Sequence, residues 1–542
     1  MKKIFILVVI SFLSCKKDSK EQELPVQETR DTTAVVEKEY KVLDSKFLTK
    51  DSIWAPFKEE MASFSEDRYT MLRPLILDKT IPDLQRSVKN GDFTYEELVK
   101  FYLFRIRKYD RNNSLSLNSV ISINPTILEE ARARDRAFKA GERKHAIFGI
   151  PVLLKDNINT TGMPTTAGAV AFQNNLTEDA FLVTRLKENG ALILGKVNLS
   201  EWAYFFCGDC PSGYSAIGGQ TLNPYGRKIL DTGGSSSGSA VAVAANFAPA
   251  AVGSETSGSI LSPSSQNSVV GLKPTVGVLS RGGIVPISGT LDTPGPITKS
   301  VIDNAILFSA MTGRDKEDAA SVANKNLGSD FYTSISEKSL KGVRLGAIKG
   351  LMEDSLYVAA INDLKQAGAE VVEFEAEEVQ LPNFIRLLNL DMKKDLPHYI
   401  EKYGGEVEVR SVEDVMAYNL MDTLNRSPYG QRLFEGIKND SANEKEFAAI
   451  KDTLRRNGTQ FFEVPMKKHN LDGVLSINNY HAGFAAVAKY PAITVPMGYG
   501  ENNAPKGLTF FAKPYREADL YSWAFAYEKA TNRRVSPENY KN

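Results

Sequence analysis

Two short loops of glycine and serine, Gly233-Gly234-Ser235-Ser236-Ser237-Gly238-Ser239 and Gly253-Ser254-Glu255-Thr256-Ser257-Gly258-Ser259, flank a run of Ala and Val within residues 231–275. Composition alone would make such a segment a flexible linker. Its arrangement argues otherwise, because the glycines border the Ala/Val run instead of filling it. A short buried helix over 239–247 would bring the two loops back against each other. With no Cβ in the way, such loops turn backbone N–H groups inward onto an anion. Hydroxyl nucleophiles beside oxyanion donors are parts that acyl transfer requires, and the missing part is a base. Lys155 closes the apolar run Ile150-Pro151-Val152-Leu153-Leu154. A strand-end lysine is ordinarily a solvated charge. Desolvation would lower its pKa and make it a base. A hydroxyl between that base and a nucleophile relays the proton in both directions.

Gly234-Ser235-Ser236-Ser237-Gly238 also fits G-x-S-x-G, the nucleophile elbow. That pattern predicts an α/β-hydrolase-type esterase with Ser236 as nucleophile and His469 or His481 as base. A triple-serine run meets the pattern easily, and the segment that should be the delivering strand carries Arg227, Lys228 and Asp231. No Ser-x-x-Lys outside the leader supports a β-lactamase arrangement.

Together, Lys155 in GIPVLLKDNI, the two serine loops, and the following VVGLKPTVGVLSRGGIVPIS and DTPGPITKSV resemble the amidase signature family. The likeness covers roughly residues 80–315 and returns in PAITVPMGYG and GLTFFAKPYREADLYSWAFAYEKAT. It implies a Ser-cisSer-Lys triad of Ser259, Ser235 and Lys155, with the N–H groups of Thr256, Ser257, Gly258 and Ser259 as oxyanion hole. Ser236 is expected to support the triad by hydrogen bonding. The implied activity is hydrolysis of a linear carboxamide through a seryl acyl-enzyme, without cofactor or metal. The implied fold is a single large α/β/α domain around a mixed, mostly parallel sheet. Two positions depart from the family: Ser257 stands where most members have Gly or Asp, and Leu261 replaces the Arg usual in the tRNA-dependent amidotransferase subunit. The latter removes a cationic anchor for an acidic substrate. The motifs are most similar to the peptide-amidase and general-amidase branch. The competing readings are an amidotransferase subunit and a catalytically silent binding lipoprotein.

The elements that must hold these residues can be read from periodicity. Thr94 and Glu97 stand at capping-box spacing before LVKFYLFRI, which predicts a helix. Further helices are expected over 127–140, over 179–189 behind Thr177, and over 356–367. Strands are expected over 147–154, 191–194, 343–348 and 370–374. Such alternation argues a parallel or mixed sheet with both faces covered. Residues 380–470 read as a variable, charged helical region outside the catalytic scaffold, shaping the substrate entrance.

Composition narrows the function. The chain has 542 residues, with 66 Lys+Arg against 66 Asp+Glu, which removes the electrostatic case for a nucleic-acid partner. Four histidines, none at ligand spacing with another, exclude a histidine-rich metal site. Three cysteines cannot build a disulfide scaffold. The Cys207-Gly208-Asp209-Cys210 spacing leaves both a local disulfide and free thiols open.

At the N-terminus, Met1-Lys2-Lys3 precedes a ten-residue apolar run (IFILVVISFL) that is too short to span a bilayer. Residues 1–14 read as a signal peptide. The run ends at Leu13-Ser14-Cys15, which resembles a bacterial lipobox, with Phe12 departing from the usual Leu, Val or Ile. Cys15 is the expected lipidation site, residues 15–45 a charged tether, and residues 70–535 the amidase domain. The protein is expected to be exported and anchored through the N-terminal lipid at a periplasmic or cell-surface membrane face.

Overall fold

Helices begin where side chains satisfy their first N–H groups. Thr94 accepts from Glu97 N while Glu97 accepts from Thr94 N, and the helix Tyr95–Tyr109 follows. The computed structural model describes residues 37–111, 113–322, 330–333, 335 and 339–541. The described residues from Lys38 onward form one compact unit. The leader, Cys15 and the tether up to residue 36 lie outside the described residues. Further along, Ser45 Oγ donates to Ile217 O at 2.6 Å, so the chain already rests on the body there.

The strands are β1 (Val120–Ile123), β2 (Pro151–Lys155), β3 (Leu192–Val197), β4 (Tyr214–Ser215), β5 (Gly219–Gln220), β6 (Ala250–Glu255), β7 (Val270–Lys273), β8 (Thr293–Thr298), β9 (Arg344–Ile348), β10 (Glu370–Phe374), β11 (Gly473–Ile477), β12 (Ala492–Tyr499) and β13 (Pro505–Ala512). Eleven of them form one helix-flanked sheet in the order β1-β3-β2-β6-β8-β7-β12-β13-β11-β9-β10, and β4 pairs with β5 separately. The sheet is mixed, as expected, but it is not mostly parallel. Only β2 with β3 and β6, and β9 with β10 and β11, run parallel. All other neighbours are antiparallel. The strand-helix units legible in the sequence are the parallel pairs β2/β3 and β9/β10. In the remaining part, β12 and β13 are joined by a short turn that only an antiparallel pair permits.

Element boundaries moved where tertiary contacts intervene. The strand expected from residue 147 begins at Pro151, because 147–150 form a turn in which Gly149 has φ +73°. A Cβ there would stand 2.3 Å from the Tyr95 ring. The helix expected behind Thr177 is Phe181–Glu188, and no side chain caps it. Asp179 instead accepts from Thr161 N and pairs with Lys187.

The helix between the two serine loops is Ser237–Ala244, buried at every residue. Its small side chains allow close approach: a Cβ on Gly238 would meet Asn198 O at 2.4 Å. Ser239 Oγ donates to Val252 O in β6, tying the helix to the strand that carries the second loop. Beyond its C-terminal end, the buried Arg105 guanidinium donates to the carbonyls of Ala245 and Asn246, a favourable place for a cation. Residues 380–470 are largely helical, as expected, with helices Phe384–Tyr403, Val412–Leu420, Thr423–Arg426, Arg432–Asn439 and Glu444–His469.

Candidate active site

β2 and β6 run side by side, with Val152, Leu153 and Leu154 opposite Ala250, Ala251 and Val252. This register brings the end of β2 to the end of β6, so Lys155 meets the second serine loop. The peptide Gly234–Ser235 is cis, and it precedes the buried helix packed on the same strand. Lys155 Nζ lies 2.8 Å from Ser235 Oγ, 3.0 Å from Ser254 Oγ and 3.2 Å from Ser254 O.

Lys155 is fully buried and has no carboxylate partner among the described residues. Burial pushes its pKa down to about 7, against a partial upward pull from Asp292 and Glu255. Two other buried lysines show the contrast. Lys196, on neighbouring β3, forms a buried ion pair with Asp156 at 3.2 Å. Lys273 donates only to the carbonyls of Tyr490 and Pro274. Lys155 alone of the three stands against the Ser235 hydroxyl, so it alone can exchange a proton with that hydroxyl.

No sequence motif assigns an individual role to Ser254 or to Asn157. Asn157 Nδ2 donates to Ser254 Oγ at 2.9 Å, which fixes that hydroxyl beside the lysine. Its place two residues after Lys155 is the one sequence signal for this contact. Glu255 Oε2 accepts from Ile260 N and Leu261 N, bracing the loop at the start of the helix Leu261–Gln266. Thr256 Oγ1 donates to Asp292 Oδ1 at 2.5 Å. No sequence signal marked Asp292.

Between these braces lie Thr256, Ser257, Gly258 and Ser259. Among the described residues, none of their four backbone N–H groups donates to a protein acceptor. Gly258 has φ +91°, and a Cβ there would stand 2.9 Å from Asn479 Nδ2, so the loop accepts no side chain at this position. Four free donors in one tight loop are the raw material of an oxyanion site. Ser259 is 9% exposed and its carbonyl accepts from Ser236 N at 3.1 Å, which locks the two serine loops together.

Ser236 behaves differently from an elbow nucleophile. Its hydroxyl donates to Ser254 O at 3.0 Å and accepts from Ser254 N at 3.2 Å. No strand precedes it. His481 Nδ1 pairs with Ser476 Oγ at 2.6 Å, and the ring stacks on Phe461. His469 ends the helix Glu444–His469, where its carbonyl accepts from Arg344 Nε. Neither histidine bonds Ser236, so the elbow reading lacks both its strand and its base. Cys207 and Cys210 are joined as a disulfide.

A cleft of about 240 Å³ opens beside Asn157, Ser254 and Thr256. Its apolar lining includes Ile284, Val285 and Ile287, and Tyr399 and Tyr403 from the helix Phe384–Tyr403 line it as well. The helical region over 380–470 therefore lines part of this cleft. Among the described residues, no group of His, Cys, Asp and Glu could hold a metal ion.

The amidase family profile matches residues 97–521. A probable amidase of Arabidopsis thaliana is 36% identical over 486 residues, covering 85% of this chain and 92% of that protein. The crystal structure of an amidase family protein from Bacillus anthracis matches with a TM-score of 0.88 at 36% identity, covering 93% of this chain and 99% of that one. The peptide amidase from Stenotrophomonas maltophilia matches with a TM-score of 0.80 at 37% identity, covering 85% and 99%.

Proposed function

The chain belongs to the amidase signature family and is an amide-hydrolysing enzyme, and on that premise we propose that it cleaves linear carboxamides with Lys155, Ser235 and Ser259 as its catalytic triad. The observation that carries this reading is the buried Lys155 amine, lowered to about 7, at 2.8 Å from the Ser235 hydroxyl. Neutral Lys155 takes the Ser235 proton while Ser235 takes that of Ser259, whose Oγ attacks the amide carbonyl carbon. The carbonyl electron pair moves onto oxygen, and the N–H groups of residues 256–259 receive it. Each such donor is worth roughly 3–4 kcal/mol in known cases. As the tetrahedral intermediate collapses, the C–N bond breaks, Ser235 gives its proton to the leaving nitrogen, and Lys155 returns its own proton to Ser235 and becomes the free amine again. Water, deprotonated through the same relay, then attacks the seryl ester and releases the carboxylic acid.

The likeness to a peptide amidase supports small or peptide C-terminal amides as substrates. Ammonia release from a panel of aliphatic, aromatic and peptide amides tests the assignment, with Ser259→Ala and Lys155→Ala as controls. Full activity in either variant would overturn it. The proposal includes export and lipid anchoring at Cys15, supported by the basic start, the short apolar run and the lipobox-like end of the leader. A mass spectrum of the native protein with Met1 retained and Cys15 unmodified would exclude that part alone.

A further inference from the structure

The cleft beside the triad has an unbalanced charge. Arg281 is its one Lys or Arg, and Asp318 neutralises it, with Oδ2 accepting from Nε at 3.0 Å and Oδ1 from Nη2 at 2.5 Å. Glu317, on the rim, pairs with Lys402 at 2.9 Å. Two carboxylates on the wall remain, Asp292 and Asp395, and neither has an ion-pair partner among the described residues. Asp292 is committed to structure, accepting from Thr256 Oγ1, Ile287 N and Ser288 N.

Asp395 is not fully committed. Its Oδ2 accepts from Gly289 N at 2.6 Å, whereas Oδ1 has no protein donor among the described residues. One helical turn earlier, the buried Asp391 accepts from Ser288 Oγ and adds a like charge behind it. Burial first, and then Asp391, push the Asp395 carboxyl up to about 6, despite the pull of Lys394 and Arg281. A cation entering the cleft would relieve this repulsion. A second, independent feature indicates a ligand: Asn157, 2% exposed on the same wall, donates from Nδ2 to Ser254 Oγ and Val285 O, and its Oδ1 is left without a partner. That oxygen suits a ligand N–H. Ile284, Val285 and Ile287 give the same cleft its apolar lining.

We propose that this cleft selects amides bearing an alkylammonium group, with the aliphatic chain along the apolar wall and the ammonium at Asp395 Oδ1. The inference rests on the triad assignment above and adds the substrate's charge. An uncompensated carboxylate in a partly desolvated cleft discriminates through both attraction of the matching charge and repulsion of the opposite one.

The test compares ω-amino amides of four to eight carbons with n-alkanamides of matching length and with the corresponding ω-carboxy amides. At pH 8 the amines are protonated and Asp395 is ionised. For at least one chain length, kcat/KM for ammonia release is expected to favour the amino amide over the alkanamide by about tenfold or more, with the carboxy amide poorest. Asp395→Asn should collapse that ratio, and Asp395→Glu should restore much of it, which separates charge recognition from a folding defect. Equal or better turnover of the alkanamides at every length, or an unchanged ratio in Asp395→Asn, would overturn the proposal. Calorimetric binding of the same amides to Ser259→Ala protein gives a readout independent of turnover. If the wild-type enzyme releases no ammonia from any of them, the amidase assignment fails, while the binding order still supports or refutes the cationic cleft.

Discussion

Asn157 Nδ2 stands 2.9 Å from Ser254 Oγ, and that hydroxyl in turn stands 3.0 Å from Lys155 Nζ. The lysine is thus aimed by a serine that is itself held by an asparagine. Neither residue exchanges a proton in the proposed mechanism, so both act by positioning. Ser254→Ala should lower kcat by roughly tenfold, the loss of one buried hydrogen bond of about 1–1.5 kcal/mol. Losing an acceptor of the ammonium form should also move the acid limb of the pH profile to lower pH. A merely structural role would leave that limb in place. Asn157→Ala should move it the same way by a smaller amount.

In the proposed mechanism Lys155 works only as the free amine. With its pKa lowered to about 7, kcat/KM should rise about tenfold per pH unit below that value and level off above it. Asp292 pulls the lysine pKa upward, so Asp292→Asn should shift the limb toward lower pH. Initial rates between pH 5 and pH 9 on a neutral amide measure both effects.

The same burial carries a stability cost. Below pH 7 both folded and unfolded states hold the lysine proton, and the folded state bears the full penalty of a desolvated charge. Between about 7 and 10.5 only the unfolded state binds that proton, so the penalty fades as pH rises. Lys155→Met should therefore abolish turnover and raise Tm by several degrees at pH 6, with a smaller gain at pH 9. Thermal denaturation at the two pH values checks the sign.

Ser236 and Ser259 should separate in a labelling experiment. Ser236→Ala removes a hydroxyl bonded to both Ser254 N and Ser254 O, so it should reduce stability and kcat while leaving fluorophosphonate labelling detectable. Ser259→Ala should abolish the label without a comparable loss of Tm. The reverse pattern would restore the elbow reading.

The Cys207–Cys210 disulfide closes a very short loop. Chain-entropy arguments give such a loop about 2 kcal/mol at most. Thiol alkylation should add two adducts at these positions only after reduction, and reduction should lower Tm by a few degrees without abolishing activity.

Much of this protein was legible locally. Thr94 and Glu97 announce a helix because their side chains reach N–H groups only three residues away. The strand at Glu370–Phe374 and the helix Ser355–Gln366 fall within a residue of their periodic signals, since each is defined by its own hydrophobic pattern. Ser235 and Ser259 stand in glycine-bordered loops where backbone must approach closely, a constraint written in residue type, whereas Lys155, at the end of an apolar run, stands out only through the family resemblance.

What only the tertiary structure decided depends on residues far apart in the chain. Strand direction in the middle of the sheet follows from which strands become neighbours. β12 lies between β7 and β13, a choice that no local period records. The neutral-prone state of Lys155 comes from burial, with no ion-paired carboxylate among the described residues where Lys196, on the adjacent strand, has Asp156. The charge of the cleft arises in the same way, with Asp395 on a distant helix brought over the loop 287–292 and left without an ion-pair partner among the described residues. Residue type and spacing determine which groups are capable of chemistry. Burial and pairing, set by long-range packing, determine which of them carry it out.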